Sequence, residues 1–388
     1  MGRILMNKLL EEVILKYSKI NNNSYDDSKN VTSEFLDSYA RDIGLVIKRD
    51  RKLKLTNFYD GSRLIGSLKG LRVSTTSKEA FNLCRDKYKL EKFLNDQGFL
   101  SLNSKVFTVT EFKEAKEYVD SNPDSAFVLK PLSLAGGKGI ELNVTSENFV
   151  NSWNASIHAQ RKSKVKNPTC IVQRFVSGFD VRVSVIEGQV SAVTLRLPAH
   201  VVGDGKSTIQ ELIKEKNDER ILIKYFQKKL IPIDKKLITR LASDNKSLDD
   251  ILKNNEVYLL SDISNLTLGG ESIDITDIVS DEIKEIALNS IASIPGFYSG
   301  GVDMMTEDFT KDEAFIIEIN TNANHTMHHL PLKGSPKEPF KDLLKILKLK
   351  GEIMNNIKID NDSVVMLNNI YKFSLLKDRY SRKLLEKH

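Results

Sequence analysis

The chain has 388 residues of ordinary globular composition, enough for two or three domains around a large core. Its 58 basic and 52 acidic residues leave a net charge of +6, too mild and dispersed for a nucleic-acid surface but compatible with anionic small molecules. Two cysteines, Cys84 and Cys170, exclude a disulfide framework or zinc spacing, and no signal peptide or membrane-length apolar run is present, so a reducing cytoplasm is the expected setting.

Residues 1–75 are expected to form a first unit. A helix pattern at 4–20 leads through the polar loop NNNSYDDSKN to a second helix at 32–42. GLVIKRD and KLTNFYDGSRLIGSL then read as short strands and turns, with no catalytic constellation. Residues 76–125 give two helices. The first is SKEAFNLCRDKYKLEKFLNDQGF, with Gly98 as its C-cap. The second is VTEFKEAKEYVDSNP, which stops before Pro123, and the strand SKVFTV lies between them.

A short apolar strand at 126–130 ends in Lys130, a glycine-rich turn follows at 133–139, and another strand starts at 141–144. Such a hairpin exposes backbone N–H groups without side-chain obstruction, as a polyphosphate requires. Lys130 and Lys138 would add positive charge there. Taken alone, Gly-Gly-Lys-Gly is a weak signal, since most glycine-rich turns only connect strands.

A helix around 147–159 and the basic loop QRKSKVKN precede several antiparallel strands, interrupted by Asp180, Arg182 and Arg196. Asp180 and Arg182 share a strand face, which is either an exposed face or a site. Residues 207–255 are helical and charge-rich, and NLTLGGESIDIT is a second glycine-bearing loop. DEIKEIALNSIASI and PFKDLLKILK are helices, and 352–388 read as a strand-like run and a basic helix.

The stretch 299–329 carries the clearest chemistry. Two apolar runs, 302–305 and 315–319, flank a polar link and read as a hairpin. Alternation puts Phe315, Ile317 and Ile319 on one face and Glu318 with Asn320 on the other. A register that pairs the runs can place Asp303 beside them. Two carboxylates and an amide oxygen suit Mg²⁺, although a strand with two solvated acids would show the same pattern.

GDGKST at 203–208 resembles the end of a P-loop, but the glycine required five places before Gly205 is His200. The ordered set of lysine-ending strand, glycine loop, Asp/Arg strand and late Asp…Glu-x-Asn instead resembles the ATP-grasp ligase family over about 74–347. It is nearest the ATP-grasp region of cyanophycin synthetase and bifunctional glutathione synthetases, through LRLPAHVVGDGKSTIQELI, NLTLGGESIDITD and EINTNANHTMHHLPLKGSP. The resemblance implies an α+β ATP-grasp fold, with two α/β subdomains clasping a nucleotide between antiparallel sheets after a small N-terminal domain. The implied units are 1–75, 76–172, 173–350 and a C-terminal extension, 351–388.

By the same resemblance, Lys87, with Lys89 as competitor, and Lys130 contact ATP. Gly136, Gly137, Lys138 and Gly139 form a mobile loop over the phosphates. Gln173, Arg174, Phe175 and Val176 form the adenine hinge, where the backbone of Arg174 and Val176 reads the base; an acid is usual at this hinge, so the Gln173 side chain is assigned no role. Asp180 holds the ribose. Arg182, Arg196 and Lys130 stabilise the transferring phosphoryl group, and Asp303, Glu318 and Asn320 hold Mg²⁺, with Mn²⁺ as a substitute. Asn322, His328 and His200 lie toward the acceptor, although each histidine reads equally as a hydrogen-bonded loop residue. The 133–139 and 203–208 loops are the lid candidates. The implied reaction joins a small carboxylate and an amine, such as amino acids or short peptides, through an acyl phosphate. A phosphotransferase or a nucleotide-binding regulator is the alternative. No nucleic-acid or membrane partner is implied, and a homo-oligomer is compatible.

Overall fold

The computed structural model describes residues 8–25, 28–134, 137–311 and 313–386. Helices α1 (Lys8–Ser18) and α2 (Thr32–Asp42) precede an antiparallel meander of β1 (Val46–Asp50), β2 (Leu55–Asp60), β3 (Arg63–Lys69) and β4 (Arg72–Val73). The helix expected at 77–98 is two helices, α3 (Lys78–Arg85) and α4 (Lys87–Asp96). Asp86 separates them in extended backbone, and its carboxylate accepts from the Lys89 N–H at 3.1 Å. Aspartate is a poor residue inside a helix and a good N-cap, so the chain breaks there and Lys87 falls in a first turn.

Next come β5 (Lys105–Thr108), α5 (Phe112–Asp120), β6 (Phe127–Pro131), β7 (Glu141–Val144), α6 (Phe149–Lys162) and β8 (Thr169–Arg174). The strands form an antiparallel sheet in the order β5-β8-β6-β7. Phe149, Trp153 and Ile157, at helical spacing on α6, pack with Leu129, Val144 and Val172 beneath. Helix α6 runs into the sequence read as a basic loop.

The remaining elements are β9 (Phe179–Ile186), β10 (Gln189–Leu197), β11 (His200–Val202), α7 (Ile209–Ile221), α8 (Lys235–Ser243), β12 (Val257–Leu259), β13 (Glu271–Asp274), α9 (Asp281–Ser293), β14 (Gly300–Thr306) and β15 (Phe315–Asn320). Short α10 (Thr326–His329), α11 (Pro339–Met354) and α12 (Asn361–Leu385) end the chain. A second antiparallel sheet runs β13-β10-β9-β14-β15. Its central strand β9 sends Val181, Val183 and Val185 into the core with Ile283, Ala287 and Ile291 of α9. Period-2 alternation leaves Asp180, Arg182 and Ser184 on the opposite face.

The chain's ends are integral to these layers. Leu10, Val13 and Ile14 of α1 join the main core, while α2 and the meander pack with Phe340, Leu343 and Leu347 of α11. The strand expected after residue 352 is absent among the described residues: α11 ends at Met354 and α12 follows. Phe373 of α12 is buried, and Lys377 donates to the carbonyls of Ala292, Ile294 and Phe297 at 3.1, 2.9 and 2.9 Å. Cys84 and Cys170 are free, buried thiols, and burial pushes Cys84 up to about 12.

Phe373 is the buried anchor of α12, flanked by the partly buried Met366, Ile370, Leu376 and Tyr380. Phe373→Ala should cost about 3–5 kcal/mol, read as a lower denaturant midpoint together with early proteolysis after residue 354. Val365→Ala, at a position 63% exposed, should leave both unchanged.

Candidate functional site

The expected hairpin forms with Asp303 opposite Glu318, but a bulge between Asp303 and Met304 breaks the alternation expected on β15: Ile316 and Ile319 enter the core, while Ile317 lines the cavity with Glu318. On the other side of β14, strand β9 sets Arg182 opposite Asp303, and β10 sets Arg196 opposite Asp180. Neighbours across a sheet share a face, so these charges meet. Arg182 grips Asp303 with two nitrogens, Nε on Oδ1 and Nη2 on Oδ2, the latter at 2.5 Å. Arg196 Nη2 bridges Asp180 Oδ1 at 2.5 Å and Asp303 Oδ1 at 3.0 Å. Gly301 leaves room for this grip, since a β-carbon there would lie 3.2 Å from Arg182 Cδ and 2.9 Å from Ala323 Cβ. Burial alone would push Asp303 up; Arg182 and then Arg196 outweigh it and hold the carboxyl below its usual range. Burial and the charge of Asp303 push Asp180 up instead, against Arg196.

Asn320 Nδ2 lies 3.1 Å from Asp303 Oδ2 and 2.9 Å from Glu318 Oε1, so all three expected metal ligands converge. Exchanging the amide O and N of Asn320 would make every donor a hard oxygen, the set that suits Mg²⁺ or Mn²⁺. Among the described residues no group of three or more His, Cys, Asp or Glu could hold a metal, so oxygens from outside the protein would have to complete the shell.

Asp180, Arg182, Arg196, Asp303 and Glu318 form the polar end of a cavity of about 510 Å³ between the β5-β8-β6-β7 sheet and the five-stranded sheet, a size suited to a small ligand; Asn320 does not line it. Leu102, Val128, Ile140, Leu142, Leu266 and Ile317 make its apolar walls. Lys87 reaches in, 3.7 Å from Glu318 Oε2 and 3.4 Å from the carbonyl of Leu134 in the glycine loop. Lys89 stays 75% exposed beside Asp86 and does not line the cavity, whereas Lys87 does. Gly137 lines the cavity, Lys138 is exposed and Gly136 lies outside the described residues. Gly139 has φ +71°, and a β-carbon there would press on Pro131 and Ala159 at 3.0 Å.

Lys130 is buried and touches no carboxylate directly. Its Nζ donates to Gln173 Oε1 at 2.7 Å, and Gln173 Nε2 donates to Glu91 Oε2 and Ser104 Oγ, both at 2.9 Å. Burial first, then the charge of Lys87, lowers the Lys130 pKa to about 8. The Gln173 side chain, assigned no role from sequence, is thus the link between Lys130 and an acid on α4. Arg174, Phe175 and Val176 line the cavity. The Arg174 N–H donates to Leu102 O at 3.0 Å and the Phe175 N–H to Ala126 O at 2.9 Å.

The three residues expected near the acceptor do not line this cavity. Asn322 accepts from the Leu71 N–H at 2.8 Å and ties the meander to the loop after β15. His200 is 2% exposed, bonds Pro198 O through Nδ1 at 2.8 Å, and is lowered to about 4 by burial first. His328 is equally buried, with Nδ1 2.7 Å from Thr194 Oγ1 and Nε2 unpartnered. No residue of the 203–208 loop lines the cavity either; Asp204 accepts from its own turn and Thr208 caps α7. Sequence reasoning missed Glu91, Tyr225, Lys229 and the wall at 262–267. Only that wall carried a signal, its overlap with NLTLGG.

A family model described as an ATP-grasp domain matches residues 84–324. The chain is 33% identical over 276 residues to a cyanophycin synthetase of Crocosphaera subtropica, covering 68% of this chain and 31% of that protein. It is 29% identical over 276 residues to the glutathione biosynthesis bifunctional protein GshAB of Enterococcus faecalis, covering 68% and 35%. The crystal structure of a bifunctional glutathione synthetase from Pasteurella multocida shares the fold, with a TM-score of 0.58 and 23% identity over 81% of this chain and 44% of that one. The chain thus spans about a third of the length of these curated relatives. Among the described residues no helix is long and apolar enough to cross a membrane. The matched span contains both lysines, both arginines and the Asp303–Glu318–Asn320 set, and covers more than half of the sequence: the chain belongs to the ATP-grasp family.

Proposed function

We propose that the chain is an ATP- and Mg²⁺-dependent carboxylate–amine ligase acting through an acyl phosphate. The observation that carries this reading is the convergence of Asp303 and Glu318, both bonded by Asn320, with Lys87 and Lys130 at one end of the cavity. The base enters between Leu102, Ile140 and Leu266, with the hinge N–H assigned to Val176 because Arg174 and Phe175 donate elsewhere. Asp180 takes the ribose hydroxyls, and Lys87 and Lys130 take phosphate oxygens.

Phosphoryl transfer asks for alignment and charge neutralisation rather than a protein nucleophile. A substrate carboxylate oxygen bonds the γ-phosphorus as the bond to the β-phosphate oxygen breaks and ADP leaves. The amine nitrogen then bonds the acyl carbon, the C–O bond to phosphate breaks with its electron pair, and the nitrogen loses a proton. Arg182 and Arg196 are positioned to meet the charge that grows on the transferring oxygens, at the cost of loosening their hold on Asp303. Asp303, Glu318 and Asn320 would hold Mg²⁺, which when bound would supply positive charge to neutralise the phosphates. The glycine turn, tethered through Leu134 to Lys87, is the cover that keeps water from the acyl phosphate. The likeness to a cyanophycin synthetase and to a glutathione biosynthesis bifunctional protein supports this chemistry.

Release of ADP should require a carboxylate and an amine together, in a coupled assay over pairs of amino acids and dipeptides. AMP release, or ADP release without any amine, would overturn the ligase reading. Glu318→Gln should lower that rate by roughly a hundredfold or more while the melting temperature stays within a few degrees.

Lys130 predicts a proton signature. Its pKa is about 8 without nucleotide, and adjacent phosphates must raise it, because opposite charge favours the ammonium. Above about pH 8, ATP binding should therefore take up a proton, and affinity should fall as pH rises through that value. Calorimetry in buffers of different ionisation enthalpy measures the uptake, and Lys130→Met should abolish it.

A further inference from the structure

Glu91 stands one helical turn beyond Lys87 on α4, so the two share a face of that helix. Its carboxylate accepts four hydrogen bonds. Oε1 takes the Ser101 hydroxyl and the Ser104 N–H, both at 3.0 Å. Oε2 takes the Ser104 hydroxyl and Gln173 Nε2, the latter at 2.9 Å. The two serines flank Leu102, whose side chain lines the nucleotide cavity and whose carbonyl holds the Arg174 N–H.

These bonds fix which way the Gln173 amide faces. Ser104 Oγ gives its one proton to Glu91 and therefore accepts from Gln173 Nε2, at 2.9 Å. Both amide hydrogens are thus committed, one to Ser104 and one to Glu91. The reversed amide would set an oxygen against an ionised carboxylate that has no proton to give. Oε1 is left facing Lys130 Nζ at 2.7 Å, in a setting where Gln173 and Lys130 are each 5% exposed. The charges around Lys130 are Lys87 and Glu91 from α4 and Glu318 from β15, and neither acid bonds it directly.

Resting on the assignment of Lys130 to phosphate oxygens, we propose that Glu91 is a positioning residue for nucleotide binding: acting through Gln173, it is the remote counter-charge of Lys130, so that an arriving phosphate displaces a neutral amide oxygen and breaks no ion pair. A carboxylate touching Lys130 would compete with phosphate for the ammonium, whereas an amide offers only a dipole and yields to a full charge. Without the Glu91 carboxylate the amide is free to turn its N–H groups toward Lys130, which disfavours the ammonium. Burial and then Lys87 bring Lys130 down to about 8, and Glu318 and Glu91 act in the opposite sense. Removing Glu91 must therefore lower it further.

The test is calorimetry of ATP binding, with Mg²⁺, to the full chain from about pH 6 to about pH 9. In Glu91→Gln, proton uptake on binding should begin near about pH 7 instead of about pH 8. Affinity should fall about tenfold at about pH 9, and the loss should shrink to about twofold at about pH 6, where Lys130 is charged in both proteins. A merely structural role would weaken binding alike at every pH. The exchanged pair, Glu91→Gln with Gln173→Glu, keeps the total charge and sets a carboxylate directly on Lys130. It should abolish the uptake up to about pH 9 and weaken ATP by about tenfold at about pH 6; it also serves where Glu91→Gln fails to fold. A loss equal at all pH values in Glu91→Gln, or a pH profile matching the parent's in both variants, overturns the relay and leaves the nucleotide reading standing. A parent chain that binds no ATP overturns both.

Discussion

The double hold of Arg182 and Arg196 on Asp303 is the constraint around which the site is built. A carboxylate 5% exposed in the middle of a sheet costs several kcal/mol of lost hydration, and it stays ionised only because two guanidiniums replace that water. The arrangement requires β10, β9, β14 and β15 in one register: a slip of one residue in any pairing would send a charge into the face occupied by Val181, Val183 and Val185. Glu318 lies at the open end of the same row, with 30% of its side chain exposed. The two acids are therefore unequal: one is fixed by the sheet, the other is accessible to whatever enters the cavity.

The features legible in the sequence were those written in periodicity. Alternation on β9 and β15 placed Asp180 beside Arg182 and Glu318 beside Asn320, and the register of the hairpin followed from pairing two apolar runs. The ATP-grasp resemblance supplied the fold and pointed to the lysines. What escaped was anything set by partners distant in sequence. Glu91 looks like any helix-surface acid until Ser104 and Gln173 are brought to it. His200 and His328 sit in conspicuous sequence, yet burial turns both inward. The Arg174 N–H is taken by Leu102, a bond that no local pattern announces. Asp86 carried a readable signal, a helix-breaking cap residue between two amphipathic stretches, that the continuous apolar spacing obscured.

Neither end of the described chain stands apart from the site. Asn322, directly after the strand bearing Glu318 and Asn320, is bonded to Leu71 beside the meander, so the first sheet is held against the catalytic loop. Helix α1 contributes to the same core as β9 and β14. The N-terminal residues are therefore a wall of the molecule rather than an appendage.

Lys383 of α12 donates to Gln97 O at 2.7 Å, at the tail of α4, whose first residue is Lys87. The side chain that closes one end of the nucleotide lysine's helix thus lies 286 residues later in the chain. During synthesis, α3, α4 and the glycine hairpin emerge long before the segment that secures them. Until α12 follows, the surface of this lobe that α12 covers stays open to solvent.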